Sequence, residues 1–160
     1  MTANIDELML PIRNLIINSK IPARNIYNWD ETGLFYRGMP NYTLVNRGDS
    51  GAGSKADVKR VTAMLSVNGD GSDTSVVIIG VSKKPRGTSS DFFASLNVRY
   101  FHNKTAWMNS NIFRTLLKEF DQKMTSKTIL LLDNFSGHTI EELEDYDNIV
   151  PIFLPANTST

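Results

Sequence analysis

Two acids stand apart from the other carboxylates of this 160-residue chain by position rather than by type. Asp30 closes the stretch Ile26-Tyr27-Asn28-Trp29, and Asp133 closes the run Thr128-Ile129-Leu130-Leu131-Leu132. Each is followed by a break: Glu31-Thr32-Gly33 after the first, Asn134-Phe135-Ser136-Gly137 after the second. An acid at the end of a buried strand sits at the rim of a sheet, where side chains converge on a ligand. If the two strands are neighbours, both carboxylates face one space, and like charges raise each other's pKa. A divalent cation removes that penalty, and carboxylate oxygens are the donors that Mg²⁺ and Mn²⁺ prefer. Taken singly, a strand-end aspartate is more often a turn or capping residue.

Other residues could serve such a site. His138, five residues past Asp133, could orient a water or a phosphate; its ordinary role would be to satisfy backbone at a helix start. Lys83, Lys84 and Arg86, and separately Lys55, Lys59 and Arg60, could contact phosphates, although short charge clusters are usually solvated loops. Trp29 and Trp107 could stack on nucleobases, but packing in a core or interface is the commoner fate of tryptophan.

The elements that must position these residues are readable in part. Residues 5–19 predict a helix interrupted by Pro11, since proline removes a helical hydrogen bond. Residues 26–30 predict a short strand, punctuated at Gly33, with irregular extended chain over 34–45 and an exposed Gly/Ser/Lys/Asp-rich loop over 46–59. Val61, Ala63, Leu65 and Val67 alternate with Thr62, Met64 and Ser66, the period of a half-buried strand. Asn68-Gly69-Asp70-Gly71 supplies turn residues that tolerate positive φ, so 60–68 and 74–79 should form an antiparallel hairpin. Ile112, Phe113, Leu116, Leu117 and Phe120 form a helical stripe within 109–124, with Asn109 or Ser110 as cap. Residues 128–132 read as a central strand buried on both faces. Thr139 and Glu142 have capping-box spacing before a short acidic helix. Residues 149–154 form a last strand, placed at an edge by Pro151. The order is that of a mixed α/β sheet with a crossover helix.

Composition limits the function classes. With 41% hydrophobic, 9% aromatic and 21% charged residues the chain is an ordinary globular domain. Lys plus Arg and Asp plus Glu are both 17, so the formal net charge is zero, which argues against a strongly basic DNA-wrapping protein. There is no cysteine, which excludes disulfides, a cysteine-ligated zinc and a thiol nucleophile. No apolar run approaches the roughly 20 residues that span a membrane, and the acidic N-terminus is not a secretory signal. The expectation is a soluble intracellular protein without a membrane partner.

Several motifs, in order, resemble a known family. Residues 26–34, Ile-Tyr-Asn-Trp-Asp-Glu-Thr-Gly-Leu, look like the first acidic motif of pogo-type transposases, the group of the Tigger and jerky proteins and centromere protein B. Lys59-Arg60-Val61-Thr62, Asn68-Gly69-Asp70-Gly71-Ser72, and Val77-Ile78-Ile79-Gly80 with Lys83 to Arg86 resemble that family's hairpin and basic loop. Ala106-Trp107-Met108 and the helix after it fit as well. Leu130-Leu131-Leu132-Asp133-Asn134 through His138 resembles the second acidic motif, and residues 153–159 resemble its Leu-Pro-Pro-Asn-Thr-Thr-Ser run.

The resemblance covers about Ile21 to the end. It implies an RNase H-like fold with a mixed five-stranded sheet, flanking helices and the last strand at an edge. It divides the chain into an N-terminal helical remnant (1–20) and a DDE endonuclease catalytic domain (21–160). It implies metal-dependent phosphodiester cleavage and strand transfer on DNA, with Asp30 and Asp133 as catalytic ligands of Mg²⁺ or Mn²⁺. Lys59, Arg60, Lys83, Lys84 and Arg86 would contact DNA, and Asn134 and His138 would support the ligands. Location in the nucleus follows by family. The family's third carboxylate lies on a helix downstream of Thr160, and Asp145 and Asp147 precede the last strand, so neither is its equivalent. The expectation is therefore a domain without its final catalytic helix and weak as a nuclease by itself. It could instead be a domesticated or decayed copy that binds DNA or protein without cutting, with self-association or a protein partner at the uncovered sheet face.

Overall fold

Turn chemistry and alternation build the centre of the sheet. In the computed structural model, which describes residues 5–36, 59–89, 91–133 and 146–155, the hairpin forms as its sequence requires. Strands β2 (Arg60–Asn68) and β3 (Thr74–Gly80) pair antiparallel from Thr62↔Ile79 to Val67↔Thr74. Gly71 takes a φ of 74° in the turn, a conformation glycine adopts without steric cost. Gly69 donates its N–H to the carbonyls of Ala23 (3.0 Å) and Ile26 (2.8 Å). A Cβ at Gly69 would lie 2.9 Å from the Ala23 carbonyl oxygen, so only glycine allows this approach. The buried Asn68 side chain completes the tie, donating to the Arg24 carbonyl at 3.1 Å and accepting from the Asp73 N–H at 3.0 Å.

Strand β1 (Ile26–Phe35) lies beside β2, antiparallel, and beside β5 (Thr128–Leu132), parallel. Helix α1 (Ile5–Ser19) and a 3₁₀ turn (Ala23–Asn25) precede β1. A short helix α2 (Phe92–Ser95) leads into β4 (Val98–His102); helix α3 (Ser110–Lys123) crosses to β5, and β6 (Ile149–Phe153) closes the described chain. The sheet order is β4-β3-β2-β1-β5-β6. Pro151 sits in the edge strand β6, where the missing N–H leaves no buried ladder position empty.

Three expectations are corrected. The mixed sheet has six strands rather than five, because β4 joins β3 in parallel from Val76↔Val98 to Gly80↔His102. Strand β1 does not end at Asp30: pairing with β2 continues through Gly33↔Thr62 to Phe35↔Arg60, so cross-strand bonding overrides the local turn signal. Helix α1 runs through Pro11 without interruption. The hydrogen bond that proline removes would have ended on Glu7, which is exposed, so its carbonyl can turn to water. The expected loop over 46–59, apart from Lys59, and the acidic helix after Thr139 lie outside the described residues.

One face of the sheet holds the core. Tyr27, Trp29, Met64, Val77, Ile79, Leu130 and Leu132 pack against the α3 stripe of Ile112, Phe113, Leu116, Leu117 and Phe120. Asn109 caps α3 by accepting from the Ile112 N–H at 3.0 Å, as its sequence position predicts. The opposite face is more open: Leu65 is 47% and Val67 42% exposed.

Titratable groups join α3 to the hairpin. The Tyr27 hydroxyl donates to Asp73 Oδ2 at 2.9 Å, and Lys123 Nζ donates to the same oxygen at 2.7 Å. Burial, and then the hydrogen bond to Asp73, pushes the Tyr27 pKa from 10.0 up to about 12. The Lys123 hydrogen bond holds the Asp73 carboxyl below its ordinary 3.8. A raised tyrosine value stabilises the fold fully below pH 10, and that contribution is lost as pH rises toward about 12. The depressed aspartate value contributes above pH 3.8 and is lost as pH falls below it. Tyr27→Phe is therefore expected to flatten the alkaline arm of the stability profile between pH 10 and about 12 while keeping most of the acid arm. Urea midpoints across pH measure this; parallel alkaline arms in the two proteins would refute it.

Candidate metal and nucleic-acid site

The register of β1 on β5 decides where the two acids lie. The last paired residues are Trp29↔Leu132, and Asp30 and Asp133 are the next residue on each strand. Parallel neighbours lie about 4.8 Å apart, so the acids occupy adjacent positions. Trp29 and Leu132 belong to the α3-side core; alternation therefore turns Asp30 to the opposite, open face. Asp30 is exposed and its Oδ1 accepts the Glu31 N–H at 2.8 Å, whereas Asp133 is half-buried. Among the described residues no three His, Asp or Glu side chains group closely enough to hold a metal ion. The acid pair itself consists of hard oxygen donors, which suits Mg²⁺ or Mn²⁺.

Strand directions gather the other candidates. β1, β3, β4, β5 and β6 run parallel to one another and β2 runs against them. Their carboxyl ends, and the start of β2, thus lie at a single end of the sheet. That end carries Lys59 and Arg60, the segment Lys83–Arg86 after β3, Trp107 after β4, and Asp133 after β5. Open α/β sheets place ligands at this end.

The basic segment is held rather than loose. Tyr100 Oη donates to the Ser82 carbonyl at 2.6 Å, Ser82 Oγ to the Lys84 carbonyl at 2.9 Å, and Thr88 Oγ1 to the Pro85 carbonyl at 2.7 Å. Lys83, Lys84 and Arg86 remain exposed. Beside them Phe93 stacks on Tyr100, with ring centroids 4.3 Å apart and planes inclined by 11°. A groove of about 640 Å³ lies between the lysines and this ring pair. Burial, with Tyr36 nearby, pushes the Tyr100 pKa up from its ordinary value.

Arg60 and Lys59 differ. Lys59 is exposed. The Arg60 guanidinium lies 3.3 Å from the Trp107 ring centroid and donates to Thr62 Oγ1 at 2.7 Å. Its Nε is buried and meets no hydrogen-bond acceptor among the described residues. Arg60 therefore shapes the end of the sheet, and Trp107, 46% exposed, is the surface it supports. Trp29 is a core residue, as packing favours. Asn134 and His138 lie outside the described residues. Phe93 and Tyr100 escaped sequence reasoning because β4 did; the one available signal was their aromatic character close after the basic cluster.

Fold and site together define an α/β domain with an aspartate pair at adjacent positions, Asp133 just past the carboxyl end of β5 and Asp30 within the neighbouring β1. The chain belongs to the DDE superfamily endonuclease family, whose profile matches residues 58–160. It is 31% identical to Tigger transposable element-derived protein 4 of Mus musculus over 141 residues, which cover 86% of this chain and 27% of that protein. It is 30% identical to CENP-B homolog protein 2 of Schizosaccharomyces pombe (96% of this chain, 31% of that protein) and 30% identical to the Jerky protein homolog of Homo sapiens (92% and 28%). The chain thus spans less than a third of the length of these relatives. Among solved structures, the Mos1 strand transfer complex aligns at 14% identity with a TM-score of 0.45, covering 97% of this chain and 43% of that one. No helix among the described residues is long and apolar enough to cross a membrane.

Proposed function

We propose that this chain is the metal-binding and DNA-contacting core of a transposase-derived DDE endonuclease. The observation that carries the reading is the placement of Asp30 and Asp133 one residue beyond the Trp29↔Leu132 pair, on adjacent parallel strands. Family membership supports it. Residues 21–160 would be the catalytic domain, and the protein would work in the nucleus.

Mg²⁺ or Mn²⁺, when bound, supplies Lewis-acid polarisation of a phosphodiester and neutralises its developing charge. Asp30 and Asp133 would hold it through carboxylate oxygens, leaving the other positions of an octahedral cation to water, phosphate and further donors. Lys83, Lys84 and Arg86 would fix the DNA backbone, with Lys59 at the neighbouring strand start. Their hold is electrostatic, so it positions the duplex without reading its sequence. A second reading is DNA binding without cleavage.

Fluorescence anisotropy with a labelled duplex tests the shared claim. Each phosphate contact steepens the salt dependence of binding by about 0.9 in log–log slope. Replacing Lys83, Lys84 and Arg86 together with alanine is expected to weaken binding at least about 10-fold and to lower that slope by about 2–3. Unchanged affinity and slope would overturn the DNA interface. Mn²⁺-dependent nicking of plasmid by the parent chain, lost in Asp133→Asn, would separate the cutting reading from the binding one.

A further inference from the structure

The groove beside the basic segment combines two chemistries, and a duplex backbone uses only one of them. Lys83 and Lys84 line it, both exposed, and neither forms an ion pair among the described residues. Pro85, Phe93, Val98 and Tyr100 give it apolar, largely aromatic walls. The nearby hydroxyls are spent on the chain itself: Tyr100 Oη donates to the Ser82 carbonyl at 2.6 Å and Thr88 Oγ1 to the Pro85 carbonyl at 2.7 Å. The charged side chains that line the groove are thus both cations, set against flat apolar surface. Its volume of about 640 Å³ falls within the range of sites that enclose small molecules.

Strand register supplies the second observation. Val77 and Ile79 belong to the core and Phe101 packs against it. Alternation therefore turns Val98 and Tyr100, and with them the groove, to the open face of the sheet, which is the face of Asp30. Pairing aligns Asp30 with Leu65, Leu65 with Val76 and Val76 with Val98 in one row across four strands. Three strand spacings put Val98 about 14 Å from Asp30. Leu65, within that row, is 47% exposed, so the row stays accessible between its two ends.

From these features we propose that the groove holds an unpaired nucleotide of a single DNA strand, its phosphate on Lys83 and Lys84 and its base against the Phe93 and Tyr100 walls. This rests on the reading of the Lys83–Arg86 segment as a DNA contact and adds to it the form of DNA that the groove takes. In a duplex each base is stacked between its neighbours, so only backbone reaches such a groove. An unpaired nucleotide brings an anion and a flat apolar face together, which is the pair of chemistries on offer. Stacking of this kind tolerates any base, because every base has a π-face. The strand that enters the groove lies on the same face as Asp30, a few nucleotides away.

The test compares a labelled oligothymidine of about eight nucleotides, which does not pair with itself, with an abasic strand of the same length, by fluorescence anisotropy on the whole chain. The abasic strand carries the same phosphates and is held by the cations alone. The parent is expected to bind oligothymidine at least about 5-fold more tightly, the smaller end of what one stacked base contributes. Phe93→Ala should erase that preference and leave the affinity for the abasic strand in place. Should that variant fail to fold, Ala94→Gln obstructs the groove from an exposed wall position without changing charge or core, and should erase the preference as well. Equal affinity for the two strands in the parent, or a preference retained in a folded Ala94→Gln protein, overturns this proposal and leaves the DNA contact standing. Stronger displacement of the strand by poly(Glu,Tyr) than by unlabelled oligothymidine overturns it in favour of an acidic protein partner. Abasic-strand and duplex affinities that both ignore replacement of Lys83, Lys84 and Arg86 by alanine remove the DNA contact, and this proposal with it.

Discussion

Asp30→Asn and Asp133→Asn are each expected to remove Mn²⁺ binding from this chain, by at least about 100-fold in affinity, while the folded state survives. Loss of an outer partner of a metal ligand already costs roughly 10–100-fold, and here the change strikes the donor itself. Asparagine keeps the shape and can still accept the Glu31 N–H that Asp30 Oδ1 accepts at 2.8 Å. What it loses is the charge that balances the cation. Calorimetric titration gives the affinity, and thermal unfolding gives an independent reading. Ligand at 100 times its Kd stabilises a folded state by about 2.7 kcal/mol, so Mn²⁺ should raise the parent's midpoint and leave both variants unmoved. Removing the metal with chelator should return the parent to the variants' curve. Glu31→Gln is the internal control: alternation puts this acid, the register partner of Met64, on the core side of the sheet, away from Asp30. Mn²⁺ binding that survives both aspartate substitutions would show that the pair does not hold the cation.

The parts of this molecule that were legible in its sequence are those whose signal is local. The stripe of Ile112, Phe113, Leu116, Leu117 and Phe120 needs only the helical period to be recognised. The β2–β3 hairpin needs only alternation and the Asn68-Gly69-Asp70-Gly71 turn. β5 is an unbroken apolar run with four of its five residues buried. β4 has no such signal. Val98-Arg99-Tyr100-Phe101-His102 mixes types because an edge strand needs little burial, and its strand character comes from parallel pairing with β3. The extension of β1 past Asp30 is similar: Glu31-Thr32-Gly33 reads as a break until β2 lies beside it. The same divide runs through the site. That two acids would share a space if their strands were neighbours was readable; the register makes β1 and β5 neighbours, while β1 runs on past Asp30 rather than ending there. The stacking of Arg60 on Trp107, and of Phe93 on Tyr100, was not readable. Both depend on which chain segments meet at one end of the sheet, which spacing along the chain does not encode.

The largest loss of stability is expected from Phe113→Ala. Phe113 is 1% exposed and meets the Trp29 ring edge-on at 6.3 Å. Truncating a buried phenylalanine typically costs about 3–5 kcal/mol, part from lost transfer and part from the void left behind. Against a total of roughly 5–15 kcal/mol for a native domain, that is enough to bring much of the population to the edge of unfolding. The void should not close easily, because Phe113 sits between the helix backbone and a sheet whose facing residues are fixed by strand pairing on both sides. Lys118→Ala, on the exposed side of the same helix, should stay within about 0.5 kcal/mol. Urea unfolding of the three proteins decides the matter: the Phe113→Ala midpoint should fall with little change in slope, since the same surface is exposed on unfolding. A cost below about 1 kcal/mol would mean that the α3 stripe does not bear the core. The helix would then not be what holds Trp29 in place, and the adjoining position of Asp30 would have to be fixed by strand pairing alone.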